Sequence, residues 1–285
     1  MAETIPRLKD LLPDLFEFVR AAALQVEAGD LRDGDELAGR IRDFYTLDRM
    51  DVVETVAPGW REMSAHAGGA TRQHITQALI VLHLLPEYRR ASPRLQELME
   101  WSELYHDLGK QVISGQRDAL HAFRSAAMAA RTLPRVGFPV REACAAELDA
   151  WTRRVLAASI AAPDGKGLIQ DNRALPEILR GIDRLFGEGS PAALIVEAIL
   201  LHHSLTVVPE WPNPASLTDA EIPHCIRPAL LPLLEGVMLV DSDAWQLFDP
   251  ASRTKFRHST LAVFAGARRL MTRWRARYPA RRPRV

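Results

Sequence analysis

Nine histidines are spread along the chain, and some of them stand in company that suggests chemistry. His106 is followed directly by Asp107, in Tyr105-His106-Asp107-Leu108-Gly109-Lys110, behind a stretch of helical apolar periodicity. His202-His203 closes the apolar run 192–201, and Asp241 closes the run 230–240. An imidazole or carboxylate on the buried side of an apolar helix is costly unless it is paired or coordinated. Coordination explains all three positions together. Neutral imidazoles and carboxylates make mixed nitrogen and oxygen sites suited to Mn²⁺, Fe²⁺, Ni²⁺, Zn²⁺ or Mg²⁺. An Asp beside a His can bridge two cations while the His binds one, which suits hydrolysis by a metal-activated water.

The elements that must position these residues read as helices almost throughout. Leu8, Leu11, Leu12, Leu15, Phe16 and Val19 recur at amphipathic spacing, and similar patterns cover 36–44, 75–85, 95–105, 125–133, 142–161, 192–201, 230–240 and 261–274. Period-two alternation is scarce, and Gly/Pro breakers such as Pro58-Gly59, Gly68-Gly69 and Pro163-Asp164-Gly165 fall between the helical stretches. The expected fold class is all-α.

Composition narrows the function classes. Lys+Arg and Asp+Glu are equal at 36 each, so a generally basic nucleic-acid coat is excluded. The balance is a cancellation, because eleven of the basic residues lie in 250–285, where there is no Asp or Glu. That basic end either packs on an acidic body or contacts a polyanion. Two cysteines, Cys144 and Cys225, exclude a disulfide framework. The most apolar windows, 78–85, 192–201 and 229–240, are far shorter than the roughly 20 residues of a spanning helix. No secretory signal is read at the start, so no membrane association and a cytoplasmic location are expected.

Taken in order, His74, His106-Asp107 and a distant Asp241 resemble the HD superfamily of metal-dependent phosphohydrolases, named for its adjacent His-Asp pair. His121-Ala122-Phe123-Arg124-Ser125 is similar to the helix-opening His segment of that superfamily's extended members, and Leu201-His202-His203-Ser204 to their later His element. Leu108-Gly109-Lys110 continues the pair as in the HD-x-Gly-Lys form. The resemblance covers roughly residues 60–250. It implies an HD-like helical bundle there, preceded by an N-terminal helical extension over 1–59 and followed by a basic C-terminal helix and tail over 251–285. The interval between His121 and His202 is longer than the resemblance leads one to expect, so 134–190 reads as an inserted set of helices or a cap.

The implied metal ligands are His74, His106, Asp107, His121, His202, His203 and Asp241, holding one or two divalent ions. If His121 falls short, His74, His106, Asp107 and Asp241 remain as a mononuclear set. Asp107 is the central catalytic carboxylate in this reading, and Lys110 neutralises a phosphate oxygen in the transition state. Arg124 and Ser125 are candidate phosphate contacts. Glu103 is a candidate acceptor for a ligand imidazole. His66, in His66-Ala67-Gly68-Gly69, is similar to the opening of some nuclease-associated HD proteins and is a candidate at the rim of the pocket. Lys166 lies in a Gly-rich loop without a full phosphate-binding pattern. His83, half a turn round from His74, should face away from it, while His224 and His258 should be exposed.

The resulting expectation is a hydrolase of phosphate esters, acting on a small phosphorylated substrate such as a nucleotide. The same ligand set loaded with two irons is similar to the HD-type oxygenases related to myo-inositol oxygenase. A nuclease or nucleotide-sensing module using the basic tail is a further alternative.

Overall fold

The computed structural model describes residues 5–63, 70–111, 118–207 and 213–277. As expected, the fold is all-α. In chain order the helices are α1 (Leu8–Leu11), α2 (Pro13–Ala28), α3 (Gly34–Phe44), α4 (Leu47–Val56), α5 (Ala70–Leu84), α6 (Pro86–Arg90) and α7 (Pro93–Tyr105). There follow α8 (His121–Thr132), α9 (Leu148–Ala157), α10 (Leu175–Phe186), α11 (Pro191–Leu201), α12 (Ile222–Cys225), α13 (Leu231–Trp245) and α14 (Pro250–Arg277).

Local chemistry sets several of the helix starts. Ser92 Oγ accepts from the Leu95 amide at 3.3 Å, and Ser190 Oγ from the Ala193 amide at 3.2 Å, each ahead of a first-turn proline. A hydroxyl cap satisfies an otherwise orphaned amide, and proline there gives up a donor the helix does not use. All eleven residues of α11 are buried, because α7, α8, α10 and α13 all pack against it. This explains its continuous apolar run, which has no polar face to show.

Five helices form the frame of the molecule. α5 packs on α7 and α13, α7 on α8 and α11, α8 on α11, and α11 on α13. The N-terminal helices are fastened to the frame. α2 packs on α5, Trp101 Nε1 donates to the Pro6 carbonyl at 2.7 Å, and Tyr105 OH donates to the Val56 carbonyl at 2.5 Å. One apolar core runs from Ile5 to Met271, so the segments before residue 60 and after 250 share it with the segment between.

α14 is far longer than the 261–274 stretch expected, and it lies along α12 and α13, burying Phe264, Ala267 and Met271. Arg257 pairs with Glu87 and Asp243, and Arg268 with Glu235. Part of the basic end therefore neutralises the acidic body. Arg269, Arg273 and Arg275 are exposed.

Residues 134–190 hold short 3₁₀ turns, α9, a hairpin and α10. α9 packs on α8 and α10, and α10 on α11, so this segment leaves α8 and returns beside it. The hairpin corrects the expected helix over 142–161. That stretch begins as a 3₁₀ turn at Glu142–Glu147, and α9 stops at Ala157. β1 (Ser159–Ala161) and β2 (Leu168–Gln170) then pair antiparallel, with Ile160 opposite Ile169. Gly165 and Gly167, at φ of 72° and 90°, make the reversal possible. Lys166 sits exposed at its tip. Ala162 and Ile169 form a small separate cluster with Ala215, against Ala119 and Ile160. No helix among the described residues is long and apolar enough to cross a membrane.

His83 does face away from His74. Its ring stands edge-on to Phe16 and Tyr88, with centroids 6.1 and 5.3 Å away. Burial, reinforced by Arg20 and Arg89, pushes its imidazole down to about 4. A histidine depressed by folding contributes stability above the unfolded value of about 6.5 and loses it as pH falls towards the folded value. The expected loss between pH 7 and pH 5 is about 2 kcal/mol. Urea midpoints at the two pH values should differ less in His83→Phe than in the parent, and an equal difference would contradict this assignment.

Candidate metal centre

Each frame helix delivers one part of a buried cluster. His74 lies in α5, and His106 caps the C-terminus of α7 with Asp107 immediately after it. His121 opens α8, His202-His203 follows α11, and Asp241 lies in α13. The expectation for Asp241 needs one correction. It does not close its helix, because α13 continues through buried Asp243 and Ala244 to Trp245.

The donors form two groups. His74, His106 and Asp107 place one ligand atom each within 4.8 Å of the others, and His121, His202 and His203 do the same. In the first group His74 Nε2 and His106 Nε2 are 3.3 Å apart, and Asp107 Oδ2 lies 3.7 and 3.9 Å from them. Asp241 Oδ1 joins at 2.8 Å from His74 Nε2 and 3.8 Å from His106 Nε2. In the second group His121 Nε2 and His202 Nε2 are 3.2 Å apart. Asp107 Oδ1 lies 3.1 Å from the first and 4.0 Å from the second. Asp107 therefore turns one oxygen towards each group.

A repeated device aims the rings. His106 Nδ1 donates to the Glu103 carbonyl at 2.8 Å, His121 Nδ1 to the Asp118 carbonyl at 2.5 Å, and His202 Nδ1 to the Ile199 carbonyl at 2.6 Å. In every case the acceptor lies three residues earlier. With Nδ1 carrying the proton, a neutral ring presents the Nε2 lone pair. Burial, assisted by His121 and His106, pushes His202 down to about 3, and burial also lowers His106. His121 Nε2 and His202 Nε2 face each other across 3.2 Å. Because both Nδ1 atoms donate to carbonyls, each ring in its neutral form turns an unprotonated Nε2 to the other, an arrangement that a shared cation satisfies. Two nitrogens about 2.1 Å from one tetrahedral ion stand roughly 3.4 Å apart, which matches the observed spacing. The donor set fits a metal.

The carboxylates are charged accordingly. Burial opposes ionisation of Asp107, but His106, His121 and Lys110 together hold it well below the usual carboxylate range. Lys110 Nζ is 2.6 Å from Asp107 Oδ2, and this partner raises the ammonium despite its burial. Asp241 is also held low against burial, chiefly by its hydrogen bond with His74. Glu103 differs. It is fully buried with neither carboxyl oxygen bonded, and burial followed by repulsion from Asp241 and Asp107 raises it well above the carboxylate range. The His106 acceptor expected at Glu103 is its backbone carbonyl, while Oε2 stands 3.6 Å from Nδ1.

Arg124 and Ser125, read from the sequence as phosphate contacts, are bonded to the His-Asp turn itself. Ser125 Oγ accepts from the Gly109 amide at 2.9 Å, and Arg124 Nε donates to the Gly109 carbonyl at 2.8 Å. Arg124 also pairs with Asp118, whose carboxylate accepts from the Gln111 amide at 2.7 Å. Asp118 escaped the sequence reading, although an Asp just ahead of a helix start is a familiar capping signal. Trp245, stacked on His74 with centroids 4.4 Å apart, escaped it too, and its spacing of four from Asp241 was the available sign. His66 lies outside the described residues. His224 and His258 are exposed, as expected, and belong to neither group. A cavity of about 830 Å³ lies elsewhere, lined by residues that include Arg20, His83, Tyr88 and Glu100, and contains none of the cluster's donors.

No family model, curated protein or solved structure matches this chain.

Gly109 is required by space. A Cβ there would stand 2.6 Å from both the Arg124 Cβ and the Ser125 amide nitrogen. Gly109→Ala must push the turn off α8 and carry Asp107 with it. The variant is expected to lose at least 1 kcal/mol of stability, roughly, and about tenfold in metal affinity. Denaturation and metal titration measure the two effects, and unchanged affinity would show that the turn does not position Asp107.

Proposed function

We propose that this protein is a metal-dependent phosphohydrolase of the HD type, cleaving a phosphate ester of a small substrate such as a nucleotide. The observation that carries the reading is the divided carboxylate of Asp107, with one oxygen facing each imidazole group and an ammonium group beside it. Support also comes from the motif order, since all five sequence elements of the resemblance meet in one cluster.

His74, His106, Asp107 and Asp241 would hold one ion, and His121, His202, His203 and Asp107 a second. Five imidazoles and two carboxylates suit Fe²⁺, Mn²⁺, Ni²⁺ or Zn²⁺ better than Mg²⁺, which prefers an all-oxygen shell. Bound there, such ions supply Lewis-acid polarisation of the phosphoryl oxygens and a water acidic enough to attack at neutral pH. Lys110 contributes a positive charge at the partly open side of Asp107, where an anionic substrate must arrive. It offsets negative charge that builds on the phosphoryl oxygens. The carbonyls of Glu103, Asp118 and Ile199 keep three imidazoles in the tautomer that coordinates.

The nitrogen-rich donor set also favours a second reading, the diiron oxygenase, because imidazole and carboxylate ligands suit redox-active iron. The Lys110–Asp107 pair weighs towards hydrolysis. A contact with a polyanion through the exposed Arg269, Arg273 and Arg275 belongs to the same reading as an accessory. Removing residues 269–285 is expected to weaken RNA binding and flatten its salt dependence.

Protein purified without oxygen and reconstituted with each ion in turn is expected to carry two ions per chain and release phosphate from nucleotide substrates. Asp107→Asn should fall to one ion or fewer and lose activity by about 100-fold or more. A folded, two-ion protein that releases no phosphate across a panel of nucleotides and cyclic dinucleotides rejects the hydrolase reading. Oxygen uptake by the iron form alone selects the oxygenase.

A further inference from the structure

Trp245 is the residue at this site whose placement the metal chemistry does not explain. It is the last residue of α13, one turn beyond Asp241, and it is 55 % exposed, whereas Trp60 and Trp101 are fully buried. The core does not require it. Leu233, Leu234, Val237, Met238 and Ala244 already supply the buried face of α13. Its ring instead lies nearly parallel to His74, at an interplanar angle of 20°. His74 is buried, so one indole face is covered by a ligand imidazole and the exposed area belongs to the opposite face and the edges. Lys110 Nζ stands 5.7 Å from the indole centroid while touching Asp107 Oδ2. One ammonium group thus looks on to both the divided carboxylate and the exposed aromatic ring.

A flat apolar surface of this size kept in water beside an anion-attracting lysine matches a ligand with two parts. One part is anionic and reaches the lysine and the cluster, and the other is a planar ring that covers the indole. Stacking of a nucleic-acid base on an aromatic side chain is worth several-fold to a hundredfold in binding and tolerates any base, because every base has a π face. A partner with only an apolar side chain would use the indole but not the adjacent ammonium, which an anionic group can share with Asp107.

We propose that Trp245 is the platform on which the ring of the substrate stacks. The substrate class is then a phosphate ester of a nucleoside or of an aryl alcohol, with its phosphoryl group towards Lys110. This rests on the phosphohydrolase reading and adds a residue that selects the organic part.

The test measures binding and phosphate release separately, on Zn²⁺- and Mn²⁺-loaded full-length protein, with adenosine 5′-monophosphate, phenyl phosphate and ribose 5-phosphate. Trp245→Ala is expected to weaken binding of the nucleotide about tenfold and leave ribose 5-phosphate within about twofold. Trp245→Phe should recover most of the loss, and the metal content should match the parent in both variants. Phenyl phosphate following the nucleotide assigns the platform to aryl rings in general, and a loss for the nucleotide alone assigns it to a nucleoside. Equal loss for all three ligands, no loss for any, no binding of any to the parent, or a fall in metal content overturns the proposal. Selective binding without phosphate release rejects hydrolysis and keeps the platform. Release without ring selectivity does the reverse.

Discussion

A single carboxylate, that of Asp107, stands between two groups of imidazoles in the interior of a helical frame. Ionising a carboxylate in such a place is expensive, because the interior solvates it poorly. Asp107 is nevertheless held in its charged form by Lys110 and the rings around it. Its two oxygens place a negative donor beside each group of ring nitrogens, as a shared cation on either side would require. Most of the other features of the site keep that carboxylate where it is or keep the imidazoles aimed at it.

The support is mechanical as well as electrostatic. The turn carrying His106-Asp107 is clamped to the start of α8 through both main-chain groups of Gly109, and only a residue without Cβ lets the two backbones come that close. Asp118 ties Arg124 to Gln111 across the same junction, and its own carbonyl orients His121. On the far side, Arg227 is buried between Asp183 of α10 and Glu197 of α11, joining the helices that carry the chain back to His202. Removing one member of such a buried set leaves the others uncompensated, so the set defines one arrangement of these helices.

The glycine and the lysine after His-Asp illustrate how sequence and structure speak to each other here. Both belong to a motif legible in the linear chain, and the structure gives each a physical task, one of space and one of charge. Arg124 and Ser125 were legible only as polar residues behind a histidine. Whether a hydroxyl there meets a ligand or a neighbouring amide depends on where another helix end lies. Within 134–190 only the Pro163-Asp164-Gly165 turn of the hairpin was legible, because three-residue strands are too short to establish a period of two.

What the amino-acid sequence determined by itself was whatever a local period or an adjacent pair encodes. That includes the helical class, most of the helix centres, the His-Asp pair, and the ordered set of His and Asp residues at or near helix ends. Side chains recurring every three to four residues select the helix without reference to the rest of the molecule. The tertiary structure alone decided that His121 meets His202 across an interval of 81 residues, because α9 and α10 fold back along α8 and α11. It alone split Asp107 between two groups, buried both carboxyl oxygens of Glu103 without a hydrogen bond among the described residues, and laid Trp245 on His74. Each of these depends on distances between helices remote in sequence, which are set by how side chains fill the space between them, and no local pattern carries that information.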